Sequence, residues 1–309
     1  MFKRTLLPPT RRLLRRLIGP IEISTHMPSG FERHRAETPT LGVARDFVLN
    51  ADARADTNPE RKHLLDEAAI LDAINRDEIP IPAPEDAEGY STHALTYWLS
   101  GAADLRAIES MVPTSSFRTV LDFGGATGRL ARHIALHYPN SLTTIADLNL
   151  SNVDWVENHF GPSVRSVKVS PYPHFPLADD SITLCVALSV FTHIDAYESG
   201  WLAEISRVLA PGGHAVLTIH SEDCWENLSS RPNLLKTLSR NRSFVASYVS
   251  PRMPAQRMVF DFSNGIEYNC NVFVSSDYVR SHWSKWLEVI DIQFRAHLGF
   301  QTAVVLRKL

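Results

Sequence analysis

The stretch "VLDFGGATGRL", residues 120–130, decides how this chain is read. An apolar run closes on Asp122. Gly124, Gly125, Ala126 and Gly128 follow, and helix-forming residues then begin with "RLARHIALHY". The pattern predicts a strand, a tight turn and a helix. Glycine permits the turn and lets a ligand approach the backbone, and the first N–H groups of the helix have no partner inside it. A dinucleotide-binding turn reads GxGxxG, but Arg129 stands where its third glycine would fall. A P-loop needs Gly-Lys-Ser/Thr, which is missing here. The spacing G-x-A-x-G behind a strand-end acid fits neither phosphate binder. A carboxylate at Asp122 repels a pyrophosphate and favours a cationic ligand.

Outward from this turn the chain alternates. "TVLDF", "SLTTIAD", "VRSVKVS", "SITLCVALS" and "HAVLTIH" read as strands. "GRLARHIALHY", "NVDWVENHF" and "AYESGWLAEISRVL" read as the helices between them, the last ended by the turn Ala210-Pro211-Gly212-Gly213. Apolar strands alternating with helices predict a parallel sheet covered on both faces. After His220 the alternation stops. Residues 221–265 read as an insertion, and "NVFVS" adds a short strand beside it. "SSDYVRSHWSKW" reads as a helix capped by Ser275 or Ser276. "LEVIDIQF" and "TAVVLRK" then form an antiparallel hairpin around Gly299. The fold class expected is α/β: a doubly wound, mostly parallel, seven-stranded sheet with an antiparallel C-terminal hairpin and an N-terminal helical cap. The cap includes helical stretches at 60–74 and 91–111, the second with Ser91 as a plausible N-cap. The expected division is an arm and cap at 1–89 and a ligand-binding domain at 90–309.

The turn resembles motif I, D/E-x-G-x-G-x-G, of the class I S-adenosylmethionine (SAM)-dependent methyltransferases. Asp122, Gly124, Ala126 and Gly128 are the matching positions, with Ala126 in place of the middle glycine. The likeness extends through "DDS", "SVFTHI", "WLAEISRVL" and "PGG" to "QTAVVLR", over roughly residues 90–309. It implies a Rossmann-like methyltransferase whose cofactor is SAM. Asp147, at the end of the second strand, lies where a carboxylate accepts the ribose hydroxyls. Read locally, Asp147 is an acid at a helix N-terminus. The implied cofactor site comprises Asp122, Gly124, Gly125, Ala126, Gly128, Asp147, Leu148, Ser170 and Ser189. Many relatives place an acid after strand three to meet the adenine amino group; here Ser170-Pro171-Tyr172 holds the place. Tyr97, on the helix before the first strand, is the candidate lid residue. Packing of that helix by Tyr97 and Trp98 is the plainer reading.

For the acceptor, His193 after strand four and His220 at the end of strand five are the candidate bases. Open α/β sheets bind ligands beyond strand ends, and an alcohol acceptor must lose a proton. A histidine there serves equally as a structural group bonded to backbone. Asp223, Trp225 and Tyr268 are candidate substrate contacts. An aromatic wall also suits a cationic acceptor. No Asp-Asn pair of the kind used in metal chelation follows these strands, so no metal is expected.

Composition bounds the rest. The 309 residues carry a net charge of -3, which gives no global basic field for nucleic acid. Cys185, Cys224 and Cys270 are widely spaced and odd in number, which predicts neither zinc nor a disulfide framework. Residues 1–20 concentrate arginines among leucines. They read as a solvated basic helix, a transit-like presequence, or a peripheral contact with an anionic membrane. The expected protein is a cytoplasmic methyltransferase with a small polar acceptor, able to form homo-oligomers. O-methylation of a sugar or specialised metabolite is favoured. N- or S-methylation of an amino-acid-like metabolite is the alternative, and a non-catalytic SAM-fold binding module at a membrane is the third reading.

Overall fold

In the computed structural model the described residues are 67–89, 93–262 and 269–309. Among the described residues, α-helices α1 (Glu67–Arg76) and α2 (Ala94–Glu109) precede the sheet. Strands β1 (Thr119–Phe123), β2 (Leu142–Asp147) and β3 (Val164–Lys168) alternate with helices α3 (Ala131–His137) and α4 (Leu150–His159). Strand β4 (Ile182–Ala187), helix α5 (Glu198–Val208) and strand β5 (Leu209–Ile219) complete the parallel part. Short helices α6 (Glu222–Glu226), α7 (Pro232–Leu238) and α8 (Arg242–Ser247) lead to β6 (Arg257–Asp261) and β7 (Cys270–Val274). Helix α9 (Ser276–His282) and strands β8 (Glu288–His297) and β9 (Gln301–Arg307) end the chain, and Ser275 caps α9 by accepting from the Tyr278 N–H.

The main sheet has seven strands in the order β3-β2-β1-β4-β5-β9-β8. All pairings from β3 to β5 are parallel, and β9 runs antiparallel to both β5 and β8. Both faces are buried, so the central strands can be apolar throughout. Side chains alternate between two cores. Leu121, Cys185 and Ala187 join Trp201, Ile205 and Trp283 on one face. Val120, Leu184 and Val186 join Leu105, Ile108 and Ile134 on the other. Val120 and Leu121 are fully enclosed, each worth about 1.5–3 kcal/mol relative to exposure. The two-residue period also turns Asp122 toward the face of Val120, which is the face covered by α2 and α3.

Two details differ from the sequence reading. The Pro211-Gly212-Gly213 segment is no separate turn: β5 starts at Leu209, directly after α5, and these residues form an irregularity in its pairing with β4. The insertion is also more ordered than its composition suggests, because β6 and β7 pair as a second, two-stranded sheet. Among the described residues no helix is long and apolar enough to cross a membrane. Residues 1–20 and Ser91 lie outside the described residues.

The cap region is bound by polar contacts as well as packing. Trp98 Nε1 donates to Asp77 Oδ2 (2.8 Å), and Arg132 Nη2 donates to the carbonyls of Ile79 (2.9 Å) and Pro80 (2.8 Å). These bonds tie the segment after α1 to both α2 and α3, and His133 Nε2, 2.8 Å from the Trp98 carbonyl, joins α2 to α3 directly.

Candidate cofactor and acceptor site

The strand order reverses at β1 and β4, and the turn after β1 lies at that switch point, where open α/β sheets bind ligands. Gly124 has φ +71°, and a Cβ there would sit 2.5 Å from Val190 Cγ2, so the turn is packed against the chain leaving β4. A Cβ on Gly125 would sit 2.6 Å from the Asp122 carboxylate. Ala126 adopts a left-handed conformation at φ +48°, which costs a non-glycine residue roughly 1–2 kcal/mol. The departure from the glycine motif therefore has a conformational cost. Asp147 helps to offset it, because its Oδ2 accepts the Ala126 N–H at 3.0 Å.

Asp147 is buried at the end of β2, with Oδ1 accepting from the Asn149 N–H (2.7 Å) and Asn152 Nδ2 (3.3 Å). It braces the turn and the start of α4 in this structure. Desolvation raises its pKa, and these hydrogen bonds partly counter the rise.

Tyr97 and Trp98 both pack the cap. Tyr97 also reaches the turn, since its hydroxyl lies 3.0 Å from Thr127 Oγ1. It shares a narrow cavity with Asp122, Gly124, Gly125, Ala126 and Arg129. Sequence reasoning gave Arg129 no part in this site. The signal was its position beside the last glycine of the turn.

Asp122 is 3% exposed, and its Oδ2 has no hydrogen-bond partner among the described residues. Desolvation, with Asp147 and Asp104 adding to it against the opposing Arg129 charge, pushes its pKa from 3.8 up to about 7. Between these values the folded protein holds a proton that the unfolded chain has released, so stability falls as pH rises through this window. Asp122→Asn is therefore expected to match the wild type in melting temperature near pH 4 and to exceed it above pH 7. Parallel melting curves that keep one separation at all pH values would refute this.

A wider cleft of about 810 Å³ adjoins the ends of β2 and β3, lined by Leu148, Lys168, Ser170, Pro171, His193 and Asn269. Leu148 and Ser170 thus share a wall with a candidate base. Ser170 closes a local turn by accepting from the Tyr172 N–H (3.2 Å). Ser189 is turned elsewhere: its hydroxyl engages Gln301, and its N–H donates to Thr218 Oγ1 (2.7 Å).

The insertion brings the two histidines together. The backbone of β7 lies along Thr192, with the Val272 N–H donating to the Thr192 carbonyl (2.8 Å). The Val274 N–H donates to the His220 carbonyl (2.9 Å). His193 Nδ1 bonds the Cys270 carbonyl at 2.6 Å. A carbonyl only accepts, so neutral His193 carries its proton on Nδ1 and its lone pair on Nε2. Desolvation lowers its pKa, and this hydrogen bond opposes the shift. His220 is buried between Phe273 and Phe300, with ring centroids at 4.9 and 5.9 Å. Desolvation, reinforced by His193, brings its pKa down to about 3.

The substrate candidates scatter. Asp223 is held in a two-bond pair by Arg295 at 2.9 Å. Trp225 is fully buried in an aromatic cluster with Phe244, Phe260 and Phe273, as a core residue of the insertion. Tyr268 lies outside the described residues. Among the described residues no group of three or more His, Cys, Asp or Glu could hold a metal ion, and the three cysteines are free and buried.

The residues present fit SAM. An unpartnered buried carboxylate oxygen at Asp122 is of the kind that would meet its ammonium.

Comparison with known proteins bears on the domain and the fold. Residues 121–217 match the sequence model of a methyltransferase domain family. Residues of this chain are 30% identical over 112 positions to a malonyl-[acyl-carrier protein] O-methyltransferase of Geobacter sulfurreducens, covering 36% of this chain and 42% of that protein. A protein of the same name from Hahella chejuensis is 27% identical over 133 positions, covering 42% and 47%. The chain thus spans less than half the length of these curated relatives. In three dimensions it is similar to a chain from the Haloferax volcanii complex of the Trm112 methyltransferase activator with a methyltransferase. That match has a TM-score of 0.50 at 12% identity, covering 73% of this chain and 97% of the other, and it bears on the fold alone. Residues 121–217, which match a methyltransferase domain model, span β1 to β5 of the seven-stranded sheet.

Proposed function

We propose that this protein transfers the methyl group of SAM to a hydroxyl of a small polar acceptor, a sugar or specialised metabolite, with His193 as the base. The observation that carries this reading is the bond from His193 to the Cys270 carbonyl. It leaves Nε2 as the acceptor on a ring that lines the same cleft as Leu148 and Ser170. SAM supplies an electrophilic methyl on an activated sulfonium, so the chain's work is to align the acceptor and take its proton. Asp122 and Asp147 hold the cofactor's polar ends, and Tyr97 closes over the turn. His220, neutral across the ordinary pH range, shapes the apolar floor of the acceptor side. The O-methyltransferase names of the curated relatives support oxygen as the methylated atom.

The test is methyl transfer to a panel of hydroxylated metabolites. His193→Ala is expected to lower turnover by about 100-fold or more while leaving the affinity for S-adenosylhomocysteine within about threefold. The rate of the wild type is expected to fall on the acid side of pH 6.5, because the His193 pKa is lowered from that value. Unchanged turnover in both His193→Ala and His220→Ala would discard the base and favour N- or S-methylation. A thioether acceptor has no proton to lose. Absence of S-adenosylhomocysteine binding would discard methyl transfer altogether. The basic residues 1–20 are proposed to touch anionic membrane surfaces, a contact that liposome sedimentation with and without them would test.

A further inference from the structure

Gln301 opens β9 and is 3% exposed, and no step of the proposed reaction uses it. A buried amide is costly unless both of its ends are bonded. Its partners come from two other strands. Thr218, on β5 and 1% exposed, donates its hydroxyl to Gln301 Oε1 (2.7 Å). The same hydroxyl oxygen accepts the Ser189 N–H (2.7 Å). Gln301 Nε2 then donates to Ser189 Oγ (2.9 Å). The single proton of Thr218 goes to Oε1, which sets the direction of the amide. The three residues close a ring that grips Ser189 by backbone and side chain together.

Ser189 needs that grip. It stands two residues past β4 at φ +61°. A residue with a Cβ keeps this left-handed conformation only where its surroundings impose it. Ser189 also begins the turn that ends in His193. Thr192 Oγ1 donates to the Ser189 carbonyl (2.8 Å), and the His193 N–H donates to the Val190 carbonyl (2.9 Å). The far end of the turn is held by β7, through the Val272 N–H on Thr192 and the Cys270 carbonyl on the His193 ring. The turn therefore hangs between two anchors, one from β5 and β9 and one from the insertion. With the first anchor released, Ser189 relaxes toward the backbone conformations that a serine prefers. The turn then pivots, and the His193 ring goes with it.

We propose that Gln301 and Thr218 are positioning residues for methyl transfer, which hold Ser189 left-handed so that His193 keeps its ring on Cys270 while lining the cleft, a role that rests on His193 being the base. No proton passes through the ring of three bonds. It acts by geometry alone.

Nitrogen-15 spectra of the histidine-labelled full chain at about pH 8 read the tautomer directly, because the ring is then neutral. His193→Ala identifies the signal. The wild type is expected to carry its proton on Nδ1 of His193. Thr218→Val keeps the side-chain shape and removes the hydroxyl, and Gln301→Leu removes the amide. Both are expected to move His193 to a mixture of tautomers, and Thr218→Ser, which keeps the hydroxyl, should restore the wild-type signal. On an acceptor that the wild type methylates, Thr218→Val is expected to lower turnover at least about tenfold, but less than about twofold where His193 is already alanine. A merely structural role would lower turnover alike in both backgrounds, and that result overturns the positioning role. If Gln301→Leu fails to fold, Thr218→Val decides. A wild type protonated on Nε2 overturns the base reading, and the positioning role with it. A wild type protonated on Nδ1 whose variants keep that tautomer overturns the positioning role alone and leaves the base standing.

Discussion

Gly101→Ala is expected to lower the melting temperature by up to about 8 °C, against what helix propensity alone would give. Alanine in a helix interior is favoured over glycine by about 1 kcal/mol, and Gly101 lies within α2. Packing reverses the sign. A Cβ at this position would overlap the carbonyl oxygen of Arg129 and approach His133 Cδ2 to 2.8 Å. One of these neighbours is backbone, so it cannot swing aside as a side-chain end can. Overpacking of this kind costs about 1–3 kcal/mol or more, and each net kcal/mol moves the midpoint of a domain this size by about 2–4 °C. The shift would also displace Arg129 and Tyr97 from the turn, so S-adenosylhomocysteine affinity should fall with stability. Gly161→Ala is the control, because a Cβ there meets nothing within 4 Å. An unchanged or raised melting temperature for Gly101→Ala would show that α2 does not sit as closely on α3 as described.

Asp147→Ala is expected to weaken S-adenosylhomocysteine by about 100-fold, or roughly 2.7 kcal/mol. Two losses add. On the proposed cofactor reading, the ribose would lose its carboxylate partner. The turn loses the acceptor of the Ala126 N–H, and that residue already holds a left-handed backbone at φ +48°. Leaving this half-buried N–H without its partner adds a cost at or below the low end of the about 1–3 kcal/mol of a fully buried one. Asp147→Asn should fall between the wild type and alanine, because its amide oxygen can still accept one of these bonds. Calorimetry at fixed pH checks the order, and an affinity for Asp147→Ala within about threefold of the wild type would remove Asp147 from the cofactor site.

Much of the architecture was legible because its causes are local. Strands such as "TVLDF" and "ITLCVA" are apolar on both faces, and only a sheet covered on both sides can bury them. The hairpin of β8 and β9 followed from two apolar runs around Gly299, which has φ +70°. The Pro-Gly-Gly segment reads in sequence as a terminating turn because those residues punctuate turns and strand irregularities alike. Trp225 reads in sequence as a substrate contact because a lone aromatic in a polar stretch carries no sign of its partners. Those partners, Phe260 and Phe273, come from β6 and β7.

By itself the sequence determined the parallel core, the glycine turn and the acid that closes each of the first two strands. These depend on side-chain period and on backbone freedom within a few residues. Tertiary structure alone decided what surrounds them. His193 gains its tautomer from Cys270, 77 positions away, and Asp104 meets His297 across 193. The alternation of β1 turns Asp122 toward the cap, and the cap and turn place Arg129 beside it. No local pattern records such pairs, because their energy arises only when distant segments exclude water together.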